Sequence, residues 1–439
     1  MKAACGPIPP GPVEKYSTTQ DLLRWMGDQF ERFGDIFKAS VYGASVYASR
    51  DPQHARHVLR QNCQNYVKGQ AIKRIAFLLG NGLMVSEGEF WKTQRRMIQP
   101  AFHRTAIDAL ANVITASNVA LLARWENAAH KGASVNVTRD VSGMVLEVVL
   151  LSIFGADYKQ VAPHFNIVSE ESARNLEFAQ SFRSLEKVIL ELAARRRQEK
   201  TTATDILGML MDARDQKSGQ AMSDRQLVNE IKTLIVAGHE TTANTLSWSW
   251  YLLSQNPKAE EKLASEINNL AGSKFPGLDD LPKFAYTRQV IDEVLRLYPA
   301  GWLLTRRALK DDQLGVYFVP AGTEIYVSPY FIQRHPDLWE EHDRFNPDRF
   351  DPENSRESNP LAMIPFSTGP RNCIGENLAR VEMQIHLMTI AGRIRFRPVE
   401  SNPPELDVGV NLRSKHDFIM NPELKAEFES RGPSSALAK

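Results

Sequence analysis

The chain has 439 residues, 43% of them hydrophobic and 24% charged, with a formal net charge of +1 and three cysteines. That apolar fraction excludes a disordered chain, and so few cysteines in this length exclude a disulfide scaffold. The near-neutral charge gives no global pull toward nucleic acid or an anionic membrane, so no nucleic-acid partner is expected.

In chain order, Lys2 is followed by no apolar stretch of the kind that a secretory signal carries. Phe37–Ala48 (FKASVYGASVYA) alternates as a two-stranded hairpin turning at Gly43. Pro52–Gln61, Phe90–Gln99, Thr105–His130 and Asn136–Gly155 read as helices, the second ended by Pro100. The most apolar run, Val145–Phe154, is broken by Glu147 and is far shorter than the roughly 20 residues that cross a bilayer. No membrane span is therefore expected, and Cys5 and Cys63 read as free thiols of a reducing, cytoplasmic compartment. Ser172–Gln198 reads as one helix, and Gln226–Ser254 as the longest, closed by Asn256-Pro257. Gly315–Val327 (GVYFVPAGTEIYV) reads as strand, turn, strand, and Arg371–Arg393 turns helical again. No linker or repeat divides the chain, so residues 1–431 are expected to form a single domain, with 432–439 a flexible tail. The pattern is mainly α with a smaller β portion.

Four short segments carry chemistry. Phe366–Gly375 (FSTGPRNCIG) sets Cys373 near an arginine and before an amphipathic helix. Amides of Ile374 and Gly375 at the helix mouth would stabilise a thiolate, and glycines permit close backbone approach. A lone cysteine suits haem iron better than zinc or an iron–sulfur cluster, which need several ligands. Taken without its surroundings, it is as readily a buried structural thiol. Ala237–Thr242 (AGHETT) places an acid, a glycine and two threonines inside an apolar helix. Threonine hydroxyls there bond back to the preceding turn and loosen it, and a buried carboxyl with a raised pKa suits general-acid duty. A polar patch satisfied by its neighbours is the competing explanation. His239 reads as a helix-packing or solvent-facing residue. Glu293 and Arg296 share one helical face, alone no more than a surface pair worth under about 1 kcal/mol. Trp91 and Arg95 likewise share a face, and an arginine alone is usually solvated.

Together these segments resemble the cytochrome P-450 family. Phe-x-x-Gly-x-Arg-x-Cys-x-Gly is met at Phe366, Gly369, Arg371, Cys373 and Gly375. The oxygen-activation motif is met at Ala237–Thr242, Glu-x-x-Arg at Glu293 and Arg296, and Trp-x-x-x-Arg at Trp91 and Arg95, over a match from about Asp51 to Met420. The resemblance implies a P-450 fold with haem b between the long central helix and the Cys-loop helix. By it, Cys373 is the axial thiolate ligand and Phe366 packs near the sulfur. Arg95, Arg306 and Arg371 reach the propionates, with Arg96 and Arg307 as outward alternatives. Glu240 and Thr241 relay protons, Gly238 leaves room for O2, and Ala237 faces the haem. Glu293, Arg296 and Arg349, the last in FNPDRF, form a buried structural triad. Pocket walls would come from Lys73 to Phe77, Thr233 to Ala237, Trp302, Leu303 and Leu304, and Val410.

The implied activity is a monooxygenase that inserts one atom of O2 into a lipophilic small molecule, in natural-product tailoring or lipid and terpenoid oxidation. Two readings compete with it: a peroxide-driven or isomerising relative, and a non-catalytic haem carrier or gas sensor. An intact Glu240–Thr241 pair argues against both. Two features depart from the family. The stretch Gly155–Arg197 is shorter than the family's lid, with one helix where two are expected, so either the lid is abbreviated and the pocket open or a segment of it is missing. No flavin domain or iron–sulfur cysteine set follows, so NAD(P)H-derived electrons are expected through a separate ferredoxin or flavodoxin and its reductase; Lys92, Arg96 and Arg380 are the candidate docking cations, though scattered basic residues are normally just solvated. A monomer is expected.

Overall fold

The computed structural model describes residues 6–17, 21–165, 176–200, 204–271, 277–354, 361–400 and 403–425. Cys5, the 432–439 tail, part of the stretch read as a lid and the Lys73 side chain lie outside that description. Helices dominate. The principal ones are α1 (Gly88–Ile98), α2 (Arg104–His130), α3 (Val137–Phe154), α4 (Leu176–Glu199), α5 (Asp224–Gln255), α6 (Ala285–Leu297) and α7 (Glu376–Ile390).

The boundaries follow local chemistry. Asn136 caps α3 by accepting from Arg139 N at 2.9 Å, and Gly155 ends it at φ 52°. Ser223 caps α5 through Gln226 N at 3.3 Å; such caps contribute about 1 kcal/mol each. Arg196 fastens the end of α4 through Asp157, Asp205 and the carbonyl of Phe154.

The main core lies where α2, α3, α5, α6 and α7 meet, around Ile114, Leu121, Trp125, Val141, Val145, Leu246, Trp250 and Val294. A buried hydrogen-bond chain ties three of these helices: Trp250 Nε1 donates to His386 Nε2 at 2.8 Å, and His386 Nδ1 meets Asn118 Oδ1 at 2.6 Å. Burial pushes the His386 pKa down to about 3, so the ring is neutral, and its acceptor nitrogen faces the tryptophan.

Two stretches, Arg104–His130 and Val137–Phe165, are long and apolar enough to cross a membrane by length and composition, beyond the shorter run read from the sequence. Their apolar windows are 50% and 61% buried inside the protein, because both pack between other layers of helix and so are apolar on most sides.

A five-stranded sheet lies to one side. It contains β1 (Ile36–Val41), β2 (Ala44–Ser49), β3 (Tyr66–Lys68), β4 (Leu304–Ala308) and β5 (Glu324–Val327), in the order β1-β2-β5-β4-β3. The β1–β2 hairpin turns through Tyr42 and Gly43, both at positive φ, as the right-handed twist of a two-residue turn requires. Two expectations change. The predicted helix Pro52–Gln61 becomes α-helix only to Arg56, with a π-helical turn over His57–Gln61. The stretch Gly315–Val327 does hold two strands, but they do not pair: Tyr317–Val319 pairs with Asp312–Leu314, and β5 joins the larger sheet. Alternation in a sequence marks a strand without naming its partner. A last hairpin, β6 (Leu406–Val408) with β7 (Leu412–Ser414), reaches back toward α5.

Candidate active site

The Cys loop is bent by its own residues. Ser367 and Gly369 have positive φ (64° and 79°), and a Cβ on Gly369 would lie 2.0 Å from the carbonyl of Leu59. Only glycine allows the loop to rest on that turn. Cys373 N donates to Phe366 O at 2.9 Å, closing the loop. Cys373 is enclosed by protein and yet opens onto free space. Burial pushes its thiol pKa up; the amides of Gly375 and Glu376 and the Arg95 guanidinium pull it down, while the Glu376 carboxylate pushes it up. The amides that matter are therefore Gly375 and Glu376 rather than Ile374 and Gly375, because Gly375 is the N-cap and Glu376 the first residue of α7.

A second wall is α5. Along this buried helix, residues 236–241 are all partly exposed, between buried Ile231–Ile235 and buried Thr242–Ala243. The interruption overlaps the Ala237–Thr242 segment. Thr241 Oγ1 donates to Ala237 O at 2.7 Å, the back-bond expected there. Gly238 has a different neighbour from the expected one: an added Cβ would sit 3.3 Å from Val149 Cγ2, so this glycine lets α3 pack closely on α5. His239 is turned into the α3 interface, with Nε2 2.9 Å from Ser142 Oγ, and burial lowers its pKa to about 4. The Glu240 side chain is not buried. It is 40% exposed and lies 3.6 Å from Arg413 of β7, which is itself held by Asp407 of β6 at 2.6 Å. The hairpin brings these cross-strand partners in from far along the chain.

Cations gather next to the Cys loop. Arg371 stacks 4.2 Å over the Trp91 ring, donates to Ser86 O at 3.1 Å and pairs with Glu87. Arg95 donates to Asn372 O at 2.8 Å and to Asn372 Oδ1 at 3.1 Å. Arg306 is buried, and among the described residues its guanidinium donates only to Thr305 O, at 2.9 Å. Burial, with Arg371 close by, lowers its pKa to about 10. Lys68, absent from the sequence expectations, belongs to the same cluster. It is the register partner of Arg306 across β3 and β4, donates to Leu83 O at 3.0 Å and to Met84 O, and has its pKa lowered to about 7 by burial and by Arg371 and Arg306.

Like charges placed directly opposite across a sheet are destabilising, and buried cations need counter-charge. Among the described residues, Glu87 and the nearby Glu230 leave Lys68, Arg306 and Arg371 short of it. A dianionic edge would supply what is missing. Together with the enclosed but open thiol and the interrupted helix, the donor set fits haem.

Behind the loop, Glu293 accepts from Arg296 Nε at 2.7 Å and Nη2 at 2.8 Å, and from Arg349 Nε at 3.1 Å. The Glu293 and Arg296 side chains are wholly buried. Arg296 also reaches the carbonyls of Gln333, His342 and Arg344.

The expected pocket walls divide. Leu303 and Leu304 are half-buried. Thr233 and Trp302 are buried and engaged elsewhere, Thr233 with Asn229 O at 2.8 Å and Trp302 with Gly409 O at 3.0 Å. Phe77 and Val410 are 95% and 68% exposed. The cations read as a docking surface each have an acidic partner: Lys92 with Glu89 at 2.6 Å, Arg96 with Asp215 at 3.2 Å, and Arg380 with Asp292 at 2.6 Å.

Comparison with known proteins agrees with this geometry. A family model described as cytochrome P450 matches residues 11–183 and 163–420. The two matched stretches share residues 163–183, within the segment that reads as shorter than the family's lid. Cyclooctatin synthase of Streptomyces melanosporofaciens is 33% identical over 396 residues, covering 83% of this chain and 84% of its own. Pentalenene oxygenase of Streptomyces avermitilis is 30% identical over 382 residues, covering 82% of this chain and 84% of its own. The crystal structure of the cytochrome P450DA heme domain superposes with a TM-score of 0.82 at 23% identity, over 95% of this chain and 98% of that one, which shows the same fold. The chain belongs to the cytochrome P450 family, whose members use a cysteine-ligated haem and O2 to oxygenate small molecules.

Proposed function

We propose that this P450 monooxygenase oxidises a terpenoid, using Cys373 as its haem ligand and Glu240 with Thr241 as its proton-handling pair. The substrate class is supported by the relatives named for cyclooctatin and pentalenene, both terpenoids. Partly open apolar side chains at Val236, Ala237, Leu303 and Leu304 suit a hydrocarbon skeleton. The cation cluster of Lys68, Arg306 and Arg371 carries the cofactor assignment, since without an anion beyond Glu87 and Glu230 its burial is unfavourable.

When bound, haem supplies O2 activation, and a thiolate ligand supplies the electron density that favours O–O cleavage. The protein's own part is orientation and proton supply. Gly375 and Glu376 amides direct partial positive charge at the Cys373 sulfur. Arg95, Arg306, Arg371 and Lys68 would hold the haem carboxylate edge. The helix stays α-helical here, and Thr241 uses its hydroxyl proton on Ala237 O, which leaves its oxygen lone pairs free to accept from a water beside the helix. Glu240, half-open beside Arg413, can pass protons between solvent and that water.

Glu293, Arg296 and Arg349 lock the loop's support and take no part in chemistry. Electrons from NAD(P)H through a separate ferredoxin or flavodoxin and its reductase, a monomeric state and a cytoplasmic setting complete the reading. The free, half-buried Cys63 thiol fits a reducing compartment. Titrating the haem-loaded protein with terpenoid hydrocarbons and alcohols, followed by the haem spin-state spectrum, tests the substrate class. Saturable shifts with terpenoids are expected. Shifts with fatty acids alone would contradict the terpenoid assignment.

A further inference from the structure

Arg380 is one of the cations that the sequence assigns to a docking surface, but its contacts run to the Cys loop. It stands on α7 one turn after Glu376. Its Nη1 donates to Asp292 Oδ1 at 2.6 Å and its Nε to Glu376 Oε1 at 3.2 Å. Its guanidinium carbon lies 5.1 Å from the centroid of Phe366. These partners come from three different supports of the site. Asp292 adjoins Glu293 of the buried triad on α6. Glu376 opens the helix that carries the sulfur-facing amides. Phe366 begins the loop, and its carbonyl receives Cys373 N.

The charges around the sulfur are unevenly matched. Glu376, three residues after Cys373 at the start of α7, and Arg95 line the same cavity as the sulfur, so the carboxylate opposes a thiolate there and the guanidinium favours one. Arg380 is the cation bonded to Glu376. Burial disfavours its charge, but Asp292 and Glu376 together more than offset that, so its pKa lies above the ordinary value and the cation is permanent.

We propose that Arg380 is a positioning residue for the haem thiolate: it braces Phe366 at the Cys373 loop, neutralises Glu376 beside the sulfur, and thereby raises the reduction potential of the haem held there. This rests on Cys373 being the iron ligand. Reduction adds an electron to the haem–thiolate unit, so a nearby cation favours the reduced form and an unmatched anion disfavours it.

The test is a spectroelectrochemical titration of the ferric–ferrous couple in the haem-loaded full chain. Arg380→Gln is expected to shift the potential negative and Glu376→Gln to shift it positive. The double variant should fall between them, and Arg380→Lys should stay near wild type. Opposite shifts from the two glutamine variants are a charge effect that loss of packing does not produce. Unmoved potentials in Arg380→Gln and Glu376→Gln would overturn the proposal. If Arg380→Gln does not retain haem, Glu376→Gln decides alone, and absence of its positive shift overturns it. The reduced, CO-bound spectrum of the wild type keeps the two claims apart: loss of a thiolate-type band there defeats Cys373 ligation, whereas an intact band with unmoved potentials defeats only the role of Arg380.

Discussion

At the proposed propionate site, Arg306 would be a side chain that is destabilising in the protein alone and favourable in the complex. It is buried, bonds a neighbouring carbonyl, and faces Lys68 in register and Arg371 in space. Arg306→Gln should therefore leave the haem-free chain no less stable to urea, while weakening haem retention about 10- to 100-fold, as loss of a buried charge-assisted hydrogen bond would. Haem transfer to apomyoglobin measures the second quantity; unchanged retention would remove Arg306 from the propionate site. At Thr241, the prediction concerns coupling. Thr241→Ala removes the hydroxyl that back-bonds Ala237 and that is proposed to hold water beside the helix. Product formed per NAD(P)H should fall several-fold and hydrogen peroxide should rise, with little change in substrate affinity. Residues in contiguous motifs were legible because their neighbours are set by the helix or loop itself. Lys68 and Arg413 were not: β3–β4 register and the β6–β7 hairpin bring them in, and nothing local to either residue announces it.

Among the elements, α6 is the one whose single failure propagates furthest. Glu293 holds Arg296 and Arg349, accepts from Asn346 N at 2.8 Å, and sits beside Asp292, the partner of Arg380. Glu293→Gln would strand the wholly buried Arg296 without a counter-charge. A loss of about 3–5 kcal/mol in urea denaturation is expected. A loss under about 1 kcal/mol would mean that Arg296 finds enough compensation from the carbonyls of Gln333, His342 and Arg344. The Glu-x-x-Arg spacing announced one helical face, but its burial could not be read from two residues. At Pro52–Gln61 the helical period was correct while the π-turn was invisible, since the same side chains satisfy either winding. The Glu240 environment is not readable locally for a related reason. The α5 pattern predicts a buried helix, whereas residues 236–241 are partly exposed and Glu240 meets Arg413 of a hairpin far along the chain.

Across the whole molecule, the buried titratable groups of α7 set a pH dependence. Glu382 is buried, its Oε1 has no hydrogen-bond partner among the described residues, and burial pushes its pKa up to about 8. A carboxyl with a raised folded-state pKa contributes stability below its unfolded value of about 4.3, and loses that contribution as pH rises through the folded value. His386 runs the other way. Its pKa is depressed to about 3, so its contribution is present above about 6.5 and is lost as pH falls. Glu382→Gln removes only the first effect. Its stability relative to wild type should therefore grow between about pH 4.5 and 8, by at most about 1.4 kcal/mol per pH unit. A difference independent of pH would mean that Glu382 is ionised in the folded protein. The fold class was legible at this scale because the helical period covers most of the chain, and strand partners were not. Every role proposed above depends on Cys373, in its loop at the start of α7, as the thiolate ligand of haem iron. The spectrum of the reduced, CO-bound protein beside Cys373→Ser decides that ligation. The long-wavelength Soret band of a thiolate-ligated haem is expected in the wild type and its loss in the variant; a folded, haem-loaded wild type with only the shorter-wavelength band, or a variant that keeps the long-wavelength one, would overturn it.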